Sequence, residues 1–422
     1  MLGLVLACVL PTTWIVDANS GPGTHFTDLP AAVAAAQSGD TILVRPGIYT
    51  AFSVSGKALT IRGAGQNTTV IDLPTGHATH SHLTIEATPS GETFFLSGLS
   101  ILAHWLGPSV GALNALAGAK VVLADCLVSG DFGITDGRAG LNTTGSEVHA
   151  HRCSFWGGPN GAVSTIGPNG ARIEAGSEFS ADSCEFIGAS GVYGLWRVGA
   201  SGLFVSASAA TVTRCNGAGG HVIHHAPLLM IGGHGAEVAS GSLRIAGTAN
   251  NSFVGGSGGS TGPSGFALYA AGGTITVHGP VTLTPGIPNP QPTSGPVQLG
   301  GPLLPYLDVS GTLLQSRELN AALPVTVDLD GLFPNTLYFF LVSTAPDYFT
   351  TAPWGLGEVL LFLPAATSQV GLLDATGHKT FTFTPASVPG MLNLPFYSQA
   401  AVFDAATGQL RLSQSNLRLF AL

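Results

Sequence analysis

Charged residues are scarce in this sequence. Lys, Arg, Asp and Glu make up 9% of its 422 residues, against roughly 25% in an ordinary soluble domain. Coiled coils and helical repeats need such residues on their exposed faces, so both classes are excluded. Only 14 residues are Lys or Arg and 23 are Asp or Glu, which gives a net charge of −9. A basic surface for nucleic acid is therefore not expected.

Long apolar runs are also missing, although the mean hydropathy is +0.38. No stretch approaches the roughly 18 apolar residues of a membrane-spanning helix, so no transmembrane span is predicted. Residues 1–13 begin with the apolar run Met1–Leu10 and continue with Pro11. This pattern is typical of the end of a secretory signal and predicts a protein that is secreted or held at the cell surface. A buried first strand is the alternative.

Five cysteines and 59 glycines are present, and four of the cysteines mark a repeat. They lie 27, 31 and 31 residues apart, at Cys126, Cys153, Cys184 and Cys215. A glycine follows four residues after each of them, at Gly130, Gly157, Gly188 and Gly219. Apolar residues alternate within each copy, which indicates strands. A fixed period of this length predicts stacked coils that share one core.

The two repeated columns carry separate expectations. Stacked cysteine side chains that point the same way seldom meet the dihedral requirement of a disulfide, so we expect buried free thiols. The sequence contains no Cys-x-x-Cys pair, and a structural zinc site therefore has no support. The glycine column predicts a bend that needs either positive φ or a close approach of two backbones.

The N-terminal stretch combines an amphipathic helix near 29–37, a strand at Thr41–Arg45, the run Pro46–Tyr49 and a second strand ending at Gly63–Gly65. This order closely resembles the entry to the right-handed parallel β-helix of the pectinesterase and pectin-lyase-like superfamily. The resemblance implies a capping helix followed by the first coils. It covers about 60 residues in detail, and the repeat extends it to about residue 284.

The catalytic motifs of that superfamily are largely missing. Gly47 and Tyr49 match the start of a pectinesterase motif, but Ala51 stands where Glu is required. Gly233–Gly235 matches one polygalacturonase motif, yet the chain has no Asp-Asp pair, and a lone match is expected by chance in a glycine-rich sequence. Ca²⁺ is implied only by the resemblance to pectate lyases. We predict no cofactor from the residues themselves.

The pattern divides the chain into four parts. Residues 1–13 are the signal-like segment, and 14–283 form the β-helix. Residues 284–305 are rich in Pro and Gly and predict a linker or a long cap. Longer alternating strands follow in 306–422 and predict a small antiparallel β-sandwich. The expected fold is therefore all-β.

Outward columns of neighbouring coils bring the few charges together. The repeat places His151 beside Asp182 and Arg152 beside Asp125, at the spacing of adjacent strands. A carboxylate pair with a nearby arginine can support acid–base attack on a uronate sugar. The candidate catalytic residues are His151, Asp182, Glu185, Arg152 and Arg214. The alternative is a salt-bridged outer face, which contributes little to stability.

Two further groups are candidates for binding. Aromatic rings can stack on sugars, and the candidates for a glycan site are Trp105, Tyr193, Trp196 and His149. Trp156 is a further aromatic candidate, but it falls among the core columns, and a core position is its alternative. A His-x₂-His-x-His spacing can bind a metal ion, although solvated loop histidines are the more common case. The members of that group are His77, His80 and His82.

Three functional hypotheses remain. The favoured one is an exported surface β-helix protein that binds or displays toward polysaccharide without an intact known catalytic set. The second is a divergent polysaccharide lyase or glycoside hydrolase acting on uronate-containing glycans. The third is a structural surface or matrix component, which the low charge and high glycine content favour.

Overall fold

The structure is a computed structural model. It describes residues 11–72, 83–103, 111–130, 139–158, 168–190, 199–222, 231–246, 251–258, 262–287, 292–301, 305–312, 319–343, 346–350, 358–361, 366–387, 395–413 and 416–421. In these ranges the chain is almost entirely strand, with a short α-helix at Leu29–Ala35. Within them, no helix has both the length and the apolar character needed to traverse a membrane.

Three parallel sheets wind into a solenoid, because each coil adds one strand to each sheet in turn. Sheet 1 contains Thr13–Val16, Thr41–Val44, Thr60–Gly63, Phe94–Ser97, Lys120–Ala124, Glu147–His151, Glu178–Asp182, Ser208–Thr213, Gly241–Ala246, Thr274–His278 and Val297–Gly301. Sheet 2 contains Gly47–Thr50, Thr69–Asp72, Ser100–Leu102, Leu127–Ser129, Ser154–Trp156, Glu185–Ile187, Asn216–Ala218, Asn251–Val254 and Val281–Thr284. Sheet 3 contains Ser53–Ser55, Leu83–Glu86, Gly111–Leu116, Ala139–Thr144, Ala171–Glu174, Leu203–Ser206, Ala236–Val238, Leu268–Ala270 and Thr293–Ser294. The predicted parallel β-helix is confirmed.

The N-terminal helix covers the first coils. Asp28 caps it by accepting a hydrogen bond from the Leu29 N–H at 2.8 Å, and Pro30 occupies the first turn. The helix ends at Ala35 because Ala36 is already extended. It is therefore two residues shorter than the predicted 29–37, and it buries Leu29, Ala32 and Val33 against the solenoid core.

Alternate residues of every coil point inward and form one continuous core. Equivalent positions stack from coil to coil, as in the series Val121, Val148, Phe179 and Ala210 of sheet 1. Between coils, the rings of Phe155 and Phe186 stack with centroids 5.6 Å apart and an interplanar angle of 10°. Burial of these columns supplies the main stabilisation, since a fully buried large apolar side chain contributes about 1.5–3 kcal/mol.

The cysteines form an interior ladder of free thiols, as predicted. All four are buried. The Cys153 N–H donates to Cys184 Sγ, and the Cys184 N–H donates to Cys215 Sγ, each at 3.4 Å. Asn251 occupies the same column one coil later and accepts from the Cys215 N–H at 3.0 Å. The ladder therefore satisfies backbone donors at the turn between sheets 1 and 2.

Positive φ occurs at that turn and not at the glycine column. The residue before each cysteine lies in the left-handed region, at Asp125 (52°), Arg152 (49°), Ser183 (55°) and Arg214 (52°). The glycines four positions after the cysteines serve close backbone approach instead. A Cβ on Gly157 or Gly219 would lie 2.0 Å from a carbonyl oxygen of a neighbouring segment, and one on Gly188 would lie 2.1 Å away.

The solenoid continues beyond the predicted boundary. Residues 284–305 were expected to be a linker or a long cap outside the coils. In the structure, Thr293–Ser294 pairs with Leu268–Ala270 in sheet 3, and Val297–Gly301 pairs with Thr274–His278 in sheet 1. Proline is compatible with edge strands because an edge leaves backbone donors unpaired. The Pro-rich composition therefore marks the last coil of the solenoid.

The C-terminal part forms two small, mainly antiparallel sheets with a common core. One sheet contains Tyr306–Gly311, Val325–Asp330 and His378–Phe383. The other contains Leu319–Asn320, Asn416–Ala421, Pro395–Asp404, Leu337–Ser343 and Ala366–Leu372, with Gln409–Leu412 paired to Pro395–Asp404. Pro346–Thr350 and Glu358–Leu361 form a separate pair, and Pro385–Ser387 is a 3₁₀ turn. Residues from both main sheets share one apolar cluster, which agrees with the predicted β-sandwich.

Candidate functional site

The predicted charged cluster exists on the outer face of sheet 1. His151 and Asp182 are register partners on adjacent strands, and His151 Nδ1 lies 2.9 Å from Asp182 Oδ2. Arg152 Nη1 lies 2.6 Å from His151 Nε2. A guanidinium can only donate, so Nε2 is the acceptor and the imidazole proton lies on Nδ1, facing the carboxylate.

Two arginines extend this cluster in both directions along the solenoid. Arg152 donates to both oxygens of Asp125, at 2.7 and 2.6 Å. Arg214 donates to both oxygens of Asp182, at 3.0 and 2.6 Å. Both arginines occupy the left-handed turn position that precedes a cysteine, so the repeat itself places them in one column, two coils apart, with Ser183 between them. The result is an ionic chain that crosses four coils.

Asp182 is held in its charged form. Burial alone would raise the pKa of this carboxyl, but the hydrogen bond from His151 and the charge and hydrogen bonds of Arg214 outweigh burial and lower the pKa below its ordinary value. Such an aspartate suits an ion pair better than a general acid, because a general acid needs a pKa near the working pH.

Two other predicted site residues lie apart from this ionic chain of side chains. Glu185 begins a strand of sheet 2, and its carboxylate accepts a hydrogen bond from Trp156 Nε1 at 3.3 Å. His149 remains on sheet 1, where its ring nitrogens lie 2.6 Å from Ser180 Oγ and 2.9 Å from Glu147 Oε1. Burial favours the neutral form of Glu147, but His149 and Lys120 lower its pKa to about 2.

The β-sandwich covers this part of sheet 1. Tyr397 and Leu417 line a cavity of about 30 Å³ together with His149, His151 and Asp182. His151 is 3% exposed and Asp182 is 6% exposed. A volume of this size accommodates water and not a sugar. A catalytic role for these groups stays a prediction that needs the cover to open.

An apolar contact lies beside the ionic chain. Phe95, Val122 and Ala124 project from sheet 1 and form one buried cluster with Tyr397 and Leu417 of the sandwich. At the other side, Arg214 Nη1 lies 3.6 Å from Asp308 Oδ1 of the sandwich. The cover therefore combines apolar packing with an ion pair.

Sheet 3 presents a different outer face. One outward column runs through successive coils as register partners, at Arg172, Phe204, Glu237 and Tyr269. The Arg172 guanidinium carbon lies 5.4 Å from the centroid of the Phe204 ring. All four side chains are partly exposed. Aromatic and charged groups thus alternate along the solenoid axis.

His234 and Phe266 widen this column. The His234 ring stacks on Tyr269 with centroids 4.3 Å apart, and Phe266 stacks on Tyr269 at 5.6 Å. His234 Nδ1 accepts a hydrogen bond from the Phe266 N–H at 3.0 Å. Burial lowers the pKa of His234 to about 4, so the imidazole is neutral at physiological pH.

Glu237 is a partly buried acid in the same face. Burial raises its pKa, although the hydrogen bond from Ser201 Oγ, at 2.6 Å, and the charge of Arg172 lower it. Arg172 also pairs with Glu174 at 2.7 Å. The net effect raises the pKa of Glu237, and acids whose pKa is displaced by burial are common at functional sites.

The sequence contained a signal for this face. Arg172, Phe204, Glu237 and Tyr269 are 32, 33 and 32 residues apart, which is close to the 31-residue spacing of Cys153, Cys184 and Cys215. Extending the cysteine register past the connection from sheet 2 to sheet 3 would have aligned these four residues.

The remaining candidates lie outside the described residues: Trp105, Tyr193, Trp196, His77, His80 and His82. Among the residues that are described, no three His, Cys, Asp or Glu side chains are grouped to hold a metal ion.

Comparisons with known proteins found one similar solved structure and no matching family. No protein family matches the chain, and no curated protein matches it. Among solved structures it is similar to ORF18 of Geobacillus virus E2, with 12% sequence identity, a TM-score of 0.33, and coverage of 92% of this chain and 83% of the viral chain. The class that the geometry defines is a parallel β-helix protein with a docked C-terminal β-sandwich.

Proposed function

We propose that this protein is an exported surface β-helix protein that binds polysaccharide along the outer face of sheet 3. The observation that carries the proposal is the column of Arg172, Phe204, Glu237 and Tyr269 on consecutive coils. The apolar segment at 1–10 and the resemblance of the N-terminal stretch to pectin-lyase-like proteins support export and a glycan ligand.

The chemistry of the column suits a sugar chain. Aromatic faces stack on the apolar faces of sugar rings, while carboxylate and guanidinium groups bond to hydroxyl or carboxylate groups. Neighbouring strands lie about 4.8 Å apart, so the column repeats its contacts along the solenoid axis. A linear polymer with a regular repeat matches such a surface better than a compact ligand does.

The direct test measures binding to a panel of neutral and uronate-containing polysaccharides by calorimetry. Tyr269→Ala is expected to weaken binding at least about tenfold, because loss of one well-packed aromatic contact at a hot spot costs about 2 kcal/mol or more, and about 1.4 kcal/mol already corresponds to a tenfold change. Trp156→Ala is the matched control, since Trp156 is an aromatic side chain of sheet 2 that is 39% exposed.

Three outcomes distinguish the hypotheses. Binding that Tyr269→Ala weakens and Trp156→Ala leaves unchanged supports the proposal. Absence of binding to every polysaccharide contradicts it and favours a structural surface component. Release of reducing or unsaturated ends that is lost in Asp182→Ala would favour the divergent lyase or hydrolase.

A further inference from the structure

The contact between the β-sandwich and sheet 1 has an unusual composition. Its apolar part contains Phe95 and Val122 of the solenoid and Tyr397 and Leu417 of the sandwich. Next to it are the buried polar groups of His151 and Asp182 and others that line the cavity of about 30 Å³. A permanent contact between two domains is expected to be closely packed and mainly apolar.

One polar atom of the sandwich is poorly satisfied at this contact. Tyr397 Oη is buried and has no hydrogen-bond partner among the described residues. Burial raises the pKa of Tyr397 strongly, and the nearby charge of Glu147 raises it further. A buried hydroxyl without a partner is costly, and it regains its hydrogen bonds when water enters. Opening of the contact loses the apolar packing around Tyr397, but the Tyr397 hydroxyl then gains hydrogen bonds to water. This gain offsets part of the free energy that opening costs.

Only a short stretch of sequence separates the last strand of the solenoid from the first strand of the sandwich. Gly300 lies at the end of the solenoid with φ of +77° and no atom within 4 Å of its Cβ position. The sandwich begins with the strand Tyr306–Gly311, a few residues later. Contacts between domains of one chain resemble transient interfaces, so relative motion is the default unless the interface is large and apolar.

We propose that the β-sandwich is a reversible cover on sheet 1, held by the apolar contact of Tyr397 and by the ion pair between Arg214 and Asp308. In the closed state it hides the outward column that contains Val122 and His149. In the open state that column is accessible while the solenoid remains folded. The inference does not depend on the ligand proposed for sheet 3.

Thiol labelling at three positions tests the cover in the full chain. The background is Cys8→Ser, since Cys126, Cys153, Cys184 and Cys215 are buried. Val122→Cys reports the covered column, Thr276→Cys reports a part-exposed position farther along the same column, and Leu123→Cys reports the core. Reaction with a bulky maleimide is followed by mass spectrometry.

A reversible cover predicts an intermediate rate. Val122→Cys should react more slowly than Thr276→Cys and at least about tenfold faster than Leu123→Cys, because local opening needs less free energy than global unfolding. Adding Tyr397→Ala should accelerate labelling at position 122 at least about tenfold and leave position 123 unchanged, because truncation of a buried aromatic removes much of the contact. Asp308→Lys should act in the same direction with a smaller factor, and Asp328→Lys is its control on the same sheet.

Other results would overturn the proposal. If positions 122 and 123 react at the same rate, the cover opens only when the whole protein unfolds. If position 122 reacts as fast as position 276, the sandwich does not cover sheet 1 in solution. If Tyr397→Ala accelerates positions 122 and 123 equally, the variant acts through global stability.

Discussion

The imidazole of His234 lies against Tyr269 and is 9% exposed. Its pKa is lowered by burial to about 4, against about 6.5 in an unfolded chain. Between these values the unfolded state binds more protons than the folded state. Stability must therefore fall as the pH drops from about 6.5 to about 4.

Replacement of His234 by asparagine should remove this dependence. The asparagine oxygen can still accept from the Phe266 N–H, but it does not titrate. Over this pH window the wild type should lose on the order of 2 kcal/mol more free energy of unfolding than His234→Asn. Urea unfolding at pH 7.5, 5.5 and 4 measures the difference. Equal losses in both proteins would show that His234 ionises normally in the folded state.

Individual residues of sheet 1 were predictable because the repeat fixes their neighbours. The cysteine register alone places His151 beside Asp182 and Arg152 beside Asp125, and both pairs are present. Their burial was not predictable in the same way. It comes from Tyr397, which is more than 200 residues away in sequence and belongs to no repeat.

Glycines allow backbone segments of successive coils to contact each other directly. The Gly233 N–H donates to Gly220 O at 3.0 Å, and the Gly256 N–H donates to Gly233 O at 2.8 Å. A Cβ at Gly233 would lie 1.9 Å from Ala200 O. Backbone atoms cannot move aside as a flexible side chain can, so any residue larger than glycine would force the two segments apart.

Gly233→Ala should destabilise the solenoid by about 1–3 kcal/mol or more, as overpacking does in other cores. Gly311→Ala is the control because its nearest side-chain atom, Val325 Cγ2, would be 3.2 Å from the new Cβ. We expect a change of less than about 1 kcal/mol in the control. Thermal unfolding monitored by circular dichroism measures both. A neutral Gly233→Ala would contradict the close backbone contact.

The strands of the solenoid could be predicted from alternation and period, but their last coil could not. Residues 284–305 contain prolines that interrupt the apolar pattern, which favoured a linker. In the structure, pairing with Leu268–Ala270 and Thr274–His278 outweighs the weak local signal. Edge strands need pairing on one side only, so sequence patterns describe them less completely than interior strands.

At the scale of the whole molecule, the outer faces of the solenoid differ in access. Sheet 1 is covered by the sandwich around Val122 and His151. Sheet 3 presents Phe204 and Tyr269 as partly exposed rings in its described strands. The sandwich therefore restricts one face and leaves the proposed glycan-binding face accessible. Neither assignment could follow from sequence alone, because each depends on how separate coils and domains meet.

Oxidative footprinting with and without a bound polysaccharide tests the central claim most directly. Hydroxyl radicals modify accessible aromatic side chains, and mass spectrometry reads each position. Our account predicts that the polysaccharide protects Phe204 and Tyr269 of sheet 3 and leaves Trp156 of sheet 2 unchanged. Protection of Trp156 without protection of Phe204 and Tyr269 would contradict the assignment of sheet 3 as the binding face.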